Sequence, residues 1–379
     1  HARGGAGTAF RKLGGRRWSI IGLISVATGA LVLGFYSVVG GWCVHYLIEA
    51  LLGRAAVTDP TVMRGAFEAF AADPIQSVGS HVLFLSATAA VVLAGVEKGI
   101  ERVGKILMPL LFILMLVLII RGLMLPSAME GVKFLFKPDP EAFTGEALLN
   151  AMGFAFFSLS VGSGSMMNYG SYLSDKVSIG PSTAWIVCLA VMASILGGLM
   201  IMPAVFAFGL SPDAGPGLTF ATMPAVFGRM PFGDLFAVAF FLCLFVAALT
   251  SAISILEMTS QHFVDRHGLK RRTSILLVST VLGLIGIVCA LSFGPLSDVK
   301  LFGKTAFDLL DYVTSNIGMP IGCMGIAFVA CFVSWKTTEA ELSMNAAWRP
   351  WALRAFRLFA GILAPLLILV VAAKGIGLF

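Results

Sequence analysis

Apolar stretches of about 20 residues recur along the whole chain, separated by shorter polar segments. A helix of that length crosses roughly 30 Å of hydrocarbon while pairing its own backbone groups. The chain of 379 residues is 58% hydrophobic and 12% charged, more apolar than a soluble domain of this size. We therefore predict an all-α, polytopic membrane helix bundle. Its nine transmembrane helices are predicted over residues 19–52, 81–97, 106–125, 148–171, 183–210, 235–262, 274–293, 307–335 and 355–378.

Positive charge is concentrated in every second connecting segment, for example in 97–105 and 265–272. If residue 1 lies in the cytoplasm, most of the 26 lysines and arginines fall on the cytoplasmic side, as the positive-inside rule requires. Outer segments of fewer than 30 residues, which are short although longer than the cytoplasmic ones, and the lack of an Asn-x-Ser/Thr acceptor favour a bacterial inner membrane. The net charge of +6 is thus a signal of topology, and no basic patch with interleaved aromatic residues indicates a nucleic-acid partner. Membrane lipid is the expected surrounding.

The segments on the outer side, 53–80, 126–147 and 211–234, are longer and richer in Pro, Gly and Asp. The amphipathic pattern of 211–234 fits either short helices over an outer mouth or a plain surface loop. The sequence offers no membrane-embedded His/Glu metal cluster and no Ser/His dyad, so we predict that the protein is not an enzyme.

The stretch FFSLSVGSGS, residues 156–165, interrupts one predicted span with serines and glycines. Glycine weakens a helix, and serine competes for its backbone hydrogen bonds. One interpretation is a helix broken near residues 161–164, which would turn backbone polar groups toward a binding site, as transporters do. The other is close helix packing through small residues. The stretch alone leaves both open.

A second polar stretch, LFVAALTSAISIL, occupies residues 244–256. Ala247, Thr250, Ser251 and Ser254 recur at a spacing that places them on one helical face. Neutral oxygens on such a face suit a monovalent cation. The alternative is that each hydroxyl bonds only to the carbonyl one turn back.

Two further features are a pair of aspartates at the start of one predicted span and a tyrosine in the middle of another. Asp308 and Asp311 stand where a span begins, so Asp308 fits a helix cap and Asp311, one turn deeper, could face a vestibule. Tyr36 brings a hydroxyl to the middle of the first span. A single tyrosine in a bundle serves either packing or ligand contact.

Six segments together resemble the neurotransmitter:sodium symporter family, which has the leucine-transporter-type fold. They are GIERVGKILMPLLFILMLVLIIRG (99–122), KFLFKPD (133–139), FFSLSVGSGSMMNYGSYL (156–173), GGLMIMPAVFAFG (197–209), FVAALTSAISILE (245–257) and FDLLDYVTSN (307–316). The resemblance covers nearly all the chain. It implies one transmembrane transporter domain, residues 1–379, with an inverted-repeat fold. The expected correspondence is to helices three to eleven of a bacterial eleven-helix member, with the first two helices lacking.

The resemblance implies a sodium-coupled secondary transporter that imports an amino acid or a related small zwitterion by alternating access. It assigns substrate binding to Val32, Tyr36, Phe157, Ser158, Ser160, Ser163, Ser251 and Ile255. It assigns one sodium site to Ala247, Thr250 and Ser251, and a second to Ser158. The implied gate residues are Tyr36, Phe157 and Asp311 on the outer side and Tyr172 on the inner side.

The chain departs from the family pattern in its seventh helix. Leu189 or Ala190 stands where relatives offer a polar side chain to the sodium site that includes Ser158, and Ala193 and Ser194 leave a chloride role open. Ser163 replaces a large apolar residue of some relatives, which enlarges or polarises the pocket. The altered helix and the lacking start motivate two alternatives, a non-transporting ligand-binding or sensing protein and an inactive truncated symporter. The oligomeric state stays open.

Overall fold

The computed structural model describes residues 4–173, 177–210, 212, 215–343 and 349–375, and all regular elements in these ranges are helices. We number the α-helices in chain order. They are α1 (Ala6–Gly14), α2 (Ser19–Leu51), α3 (Pro60–Ala72), α4 (Pro74–Leu93), α5 (Arg102–Leu123), α6 (Ala128–Phe136), α7 (Gly145–Ser158), α8 (Ser165–Tyr172), α9 (Ile179–Ala207), α10 (Met223–Gly228), α11 (Gly233–His267), α12 (Arg271–Leu291), α13 (Ala306–Val313), α14 (Met319–Phe328), α15 (Trp335–Ser343), α16 (Pro350–Leu358) and α17 (Ala364–Gly375).

Within the described ranges, eight helices are long and apolar enough to cross a membrane. The remaining predicted span, 148–171, is the pair α7 and α8, which the non-helical residues 159–164 separate. The predicted all-helical membrane bundle with one broken helix is therefore confirmed. The protein is an integral, multi-pass membrane protein.

Five short π-helical segments join or extend the α-helices: Val96–Glu101, Leu218–Thr222, Thr314–Gly318, Val329–Val333 and Phe359–Leu363. The segment Thr314–Gly318 joins α13 to α14, and Phe359–Leu363 joins α16 to α17. The last two predicted spans are therefore continuous but not uniformly α-helical. By contrast, α2, α11 and α12 run without interruption.

The second predicted span, 81–97, begins too late. Helix α4 starts at Pro74, because the Asp73 carboxylate accepts the backbone N–H groups of Ile75 and Gln76 at 2.8 and 3.1 Å. An aspartate cap followed by proline in the first turn is a common helix start. The same Asp-Pro arrangement begins α3 at Pro60, where Asp59 accepts the N–H of Thr61 at 2.8 Å.

Helix α2 lies at the centre of the bundle and packs against α4, α11 and α12. Small residues on α2 permit the closest approach of its backbone to that of α4. A Cβ built on Gly41 of α2 would lie 2.6 Å from the backbone nitrogen of His81 on α4. The two backbones are therefore in contact at this point, as small residues allow in membrane helices.

An aromatic cluster covers the predicted outer half of α2. The ring of Trp42 is 1% exposed and contacts the rings of Phe67, Phe220, Phe293 and Phe307. Phe220 belongs to the π segment Leu218–Thr222, which is followed by α10. Segment 211–234 thus contains short helices, as one of its two interpretations predicted.

Several helices fall in the segments between the predicted spans or before the first one, among them α1 and α6. Helix α1 near the start of the chain buries Ala6 and Phe10, and the N–H of Gly5 donates to the Asp265 carboxylate at 2.7 Å. Helix α6 packs against α9, with Gly131 directly on the backbone of Met202. Both helices are only nine residues long and amphipathic, so they give no membrane-span signal.

Candidate functional site

The chain between α7 and α8 departs from helical geometry at three residues with positive φ. These are Ser160 at 50°, Gly162 at 92° and Gly164 at 83°. The left-handed region is open to glycine and rarely adopted by other residues, so the two glycines make this path possible. Gly162 also lies against the Met319 backbone carbonyl, where a Cβ would collide. The broken helix predicted near residues 161–164 is confirmed, and its small residues also serve close packing.

A cavity of about 300 Å³ lies beside this break. All eight residues to which we assigned substrate binding line it: Val32, Tyr36, Phe157, Ser158, Ser160, Ser163, Ser251 and Ile255. Their role in binding stays a prediction. Three further lining residues were not predicted: Gly29, Phe154 and Met319. Helical spacing from Val32 and Phe157 could have identified Gly29 and Phe154, but the approach of α14, which carries Met319, has no local signal.

Helices α2 and α11 supply the uninterrupted side of the cavity. Gly29, Val32 and Tyr36 follow one another at three- and four-residue spacing, so they share a face of α2. Ser251 and Ile255 share a face of α11 in the same way. The hydroxyls of Tyr36 and Ser251 interact across the two helices.

The three residues of the first predicted sodium site form a compact oxygen cluster on α11. The Ala247 carbonyl accepts hydrogen bonds from the hydroxyls of Thr250 at 3.0 Å and Ser251 at 3.2 Å. Thr250 also lies 3.0 Å from the Val246 carbonyl. These bonds to the preceding turn are those expected of serine and threonine in membrane helices. The same oxygens are neutral, hard and convergent, which suits an alkali cation.

Ser254 does not join this cluster toward the cavity. Its hydroxyl accepts a hydrogen bond from Tyr169 of α8 at 2.6 Å and donates to the Thr250 carbonyl at 3.1 Å. Leu189 and Ala190 lie on α9 and are not among the residues that line the cavity. Ser158, the residue of the second predicted sodium site, does line it.

The two aspartates of α13 have different surroundings. Thr305 caps α13: its hydroxyl accepts the backbone N–H of Asp308 at 3.3 Å and donates to the Asp308 carboxylate at 2.8 Å. Asp308 itself lies in the first turn of the helix, where a carboxylate is favourable, so its predicted role as the cap belongs to Thr305 instead. Asp311 is exposed, and its carboxylate accepts a hydrogen bond from Ser315 at 3.0 Å. It lies outside the lining of the cavity, and its gate role stays a prediction.

Tyr172 joins an ion pair that the sequence analysis missed. Its hydroxyl donates to Glu257 of α11 at 3.1 Å. Glu257 is fully buried, and Arg271 of α12 contacts both carboxylate oxygens, at 2.8 and 2.6 Å. Arg271 also donates to the Val92 carbonyl at 3.0 Å. The glutamate in an otherwise apolar part of α11 was the available signal, because a buried charge in a membrane helix needs a partner.

Comparison with known proteins identifies the fold and the family. The profile of the Sodium:neurotransmitter symporter family matches residues 73–378. The crystal structure of MhsT in complex with L-phenylalanine superposes with a TM-score of 0.89 and 37% sequence identity, over 99% of this chain and 85% of that chain.

Named relatives come from bacteria, an archaeon and animals. The uncharacterized sodium-dependent transporter YhdH of Bacillus subtilis is 41% identical over 325 residues, which are 86% of this chain and 71% of YhdH. An uncharacterized sodium-dependent transporter of Haemophilus influenzae is 32% identical over 331 residues, 86% of this chain and 72% of the relative. The sodium- and chloride-dependent taurine transporter of Rattus norvegicus is 28% identical over 260 residues, 62% of this chain and 39% of the relative. The chain therefore belongs to the sodium:neurotransmitter symporter family, whose members are sodium-coupled symporters.

Proposed function

We propose that the cavity at the broken helix binds an amino acid or a related small zwitterion, and that Ala247, Thr250 and Ser251 hold a co-transported sodium ion. One observation carries the proposal. Ser251 lines the cavity and also shares the Ala247 carbonyl with Thr250. Substrate and ion would then have a residue in common, so each would change the affinity for the other. The solved relative with bound L-phenylalanine supports the substrate class.

The geometry suggests how a zwitterion is held. The Tyr36 hydroxyl is a donor for the substrate carboxylate, beside Ser251. Helix α7 ends at the cavity with its negative dipole end, which favours the substrate ammonium group. Phe157, 39% exposed at the cavity wall, would cover the bound molecule. Val32 and Ile255 supply apolar surface for a side chain.

We further propose that Asp311 belongs to an outer gate and Tyr172 to an inner gate, within a single transporter domain. The hydrogen bond between Tyr172 and the buried Glu257 supports the inner assignment, because it ties α8 to α11. The distribution of lysine and arginine supports a cytoplasmic residue 1, and the bacterial relatives support the bacterial inner membrane.

The sodium site is tested by uptake of labelled L-phenylalanine into proteoliposomes that contain the full-length protein. We expect uptake to follow an inward sodium gradient. Thr250→Ala and Ser251→Ala should each raise the half-saturating sodium concentration by about tenfold or more, because each removes one oxygen ligand. Thr259→Ala is the matched control, since Thr259 is a buried hydroxyl on the same helix that donates to the Ile255 carbonyl at 2.8 Å and does not line the cavity.

Equal uptake when choline replaces sodium would contradict the coupling. Binding of the amino acid without accumulation would instead support the sensing alternative. The dependence of uptake on sodium also tests the second site. Leu189 and Ala190 offer no side-chain oxygen, so Ser158 would need other ligands for a second ion. We expect a hyperbolic dependence, and a sigmoidal one would show that a second sodium ion binds.

A further inference from the structure

A short β-hairpin lies in the connection between α12 and α13, on the outer side of the proposed topology. Leu301 and Lys304 exchange backbone hydrogen bonds, from the Leu301 N–H at 2.9 Å and from the Lys304 N–H at 3.1 Å. The two residues between them, Phe302 and Gly303, have positive φ angles of 54° and 77°, as a type I′ turn requires. The Lys304 ammonium lies 4.6 Å from the centre of the Tyr312 ring, which attaches the hairpin to α13.

The residue at the tip of this hairpin is unusual for its conformation. Asparagine or aspartate normally precedes glycine in such a turn, and a bulky side chain rarely adopts a positive φ. Phe302 is nevertheless 94% exposed, more than any other large apolar side chain in the described part of the chain. Val299 and Leu301 beside it are also exposed. The hairpin therefore presents an apolar tip that the fold itself does not use.

The position of the hairpin brings this tip close to the lipid headgroups. Helix α12 and the segment Ala306–Val333 are both long and apolar enough to cross a membrane, and the hairpin lies in their connection, residues 292–305. Its arms, residues 299–301 and 304–305, are so short that they extend about 10 Å at most, and the headgroup layer on each side of a bilayer is about 5–7 Å thick. A hairpin of this size beside the end of a span stays near the membrane surface.

The charge next to the tip is complementary to a phospholipid. Lys300 is exposed and forms no ion pair with the residues that the structure describes, whereas Asp298 precedes the extended arm. A lysine stem can lie along apolar chains while its ammonium group reaches the lipid phosphates. Lys300 and Phe302 together therefore match the polar and the apolar layer of a lipid surface.

A protein partner fits the tip less well. A stable protein interface buries about 800 Å² on each partner, and one aromatic side chain contributes about 150–250 Å². Phe302 with its two aliphatic neighbours, Val299 and Leu301, falls well short of that area. A lipid surface requires no such minimum, because the adjacent spans already hold the hairpin at the membrane.

We propose that residues 299–302 insert into the outer phospholipid surface, with Phe302 at the level of the first acyl carbons and Lys300 at the lipid phosphates. Helix α13 begins at Ala306, directly after the hairpin, so this anchor fixes the outer end of the helix that carries Asp311. The inference concerns neither the substrate nor the sodium site, and its test does not depend on transport.

The test replaces Phe302 with the photoreactive derivative p-benzoylphenylalanine in the full-length protein, reconstituted into liposomes of phosphatidylcholine and phosphatidylglycerol. Mass spectrometry after irradiation measures the fraction of protein that carries a phospholipid adduct. The same replacement at Val62 is the matched control, because Val62 is also exposed but lies near the start of α3, one full helix away from the next span. We expect about tenfold more adduct at position 302, the factor that burial of a phenylalanine ring provides.

Further variants test the lysine and guard against a folding defect. In the Phe302 derivative, Lys300→Gln should lower the adduct yield about fivefold, because one lysine near an anionic surface contributes about that factor, whereas Lys300→Arg should retain the yield. The photoreactive residue at Leu301 repeats the comparison if the change at Phe302 prevents folding, since the hydrogen bonds of Leu301 are made by its backbone.

The outcomes separate this inference from the proposed function. Equal adduct yields at positions 302 and 62 would overturn the insertion, and so would crosslinks from position 302 to a second copy of the protein in place of lipid. An unchanged yield in Lys300→Gln would overturn the role of the lysine. A wild-type protein without sodium-dependent uptake would overturn the proposed function and leave this inference standing, because crosslinking is measured without a sodium gradient.

Discussion

Helices α2 and α11 form one wall of the cavity, and the broken pair α7 and α8 forms the other. Half of the most apolar stretch of α2 and of α11 is buried inside the bundle. By contrast, none of the fourteen residues of α7, all of which the structure describes, is buried. Within the given chain, the cavity therefore lies between a wall that packs on many sides and a wall that few residues contact.

The weakly packed wall is attached through a small number of polar contacts. Tyr169 and Tyr172 of α8 donate to Ser254 and Glu257 of α11. Helix α7 is attached at its other end, where Lys374 of α17 contacts Glu146 at 3.1 Å. Helix α8 is thus tied to the fixed wall, whereas α7 is tied to the last helix. The following substitutions test this difference, in order of expected effect.

The largest loss of unfolding free energy is expected for Arg271→Ala, because it leaves the buried Glu257 carboxylate without its cation. Removing one partner of a buried ion pair costs about 3–5 kcal/mol. The free energy of unfolding should be measured in detergent. Lys105→Ala is the control, because its partner Glu101 is exposed and such a pair contributes about 0.3–0.5 kcal/mol. Equal losses of unfolding free energy in Arg271→Ala and Lys105→Ala would contradict the burial of the Glu257–Arg271 pair.

An added methyl group should destabilise the protein at Gly41 and stabilise it at Gly197. Gly41→Ala places a Cβ 2.6 Å from the His81 backbone nitrogen, and backbone cannot move as a side chain can. We expect a destabilisation of about 1–3 kcal/mol, typical of overpacking. Gly197→Ala on α9 meets nothing within 4 Å, so the better helix former should stabilise by up to about 1 kcal/mol. Thermal unfolding of both variants in one detergent checks the opposite signs.

Tyr172→Phe should weaken the attachment of α8 by about 1–2 kcal/mol, since hydrogen bonds to charged groups are stronger than neutral ones. Tyr169→Phe, which loses a bond to the neutral Ser254, should cost about 1 kcal/mol. Hydrogen exchange measures this loosening: the amides of α8 should exchange faster in each variant, whereas the amides of α12 serve as the internal control. Unchanged exchange in both variants would show that the tyrosines do not hold α8.

The smallest effect is expected for Lys374→Ala. Its partner Glu146 is 74% exposed, so water screens the pair and the loss should stay below about 1 kcal/mol. High salt should reduce the difference from wild type further. A loss that is large and independent of salt would mean that α7 is held as firmly as the opposite wall.

The sequence allowed prediction of the spans, because apolar length alone specifies a membrane helix, and of the break, because glycine and serine interrupt one span. Grouping the eight cavity residues depended on family resemblance, since spacing relates residues only within a helix. Met319 and the Glu257–Arg271 pair were missed because both depend on which helices become neighbours. The start of α4 at Pro74 was predictable from Asp73 and Pro74, but the hydropathy of the span hid it.

The π-helical segment Thr314–Gly318 lets one cavity wall tolerate a change in chain length. A π turn accommodates one residue more than the α turn it replaces, and both carry the chain through about one rotation. Deleting one residue there would restore a regular α turn, so Met319, which follows the segment directly, would keep its orientation toward the cavity. The same deletion in an α-helical stretch would instead rotate the following residues by about 100°. A family member that is one residue shorter at the π turn would therefore present the corresponding side chain to its substrate.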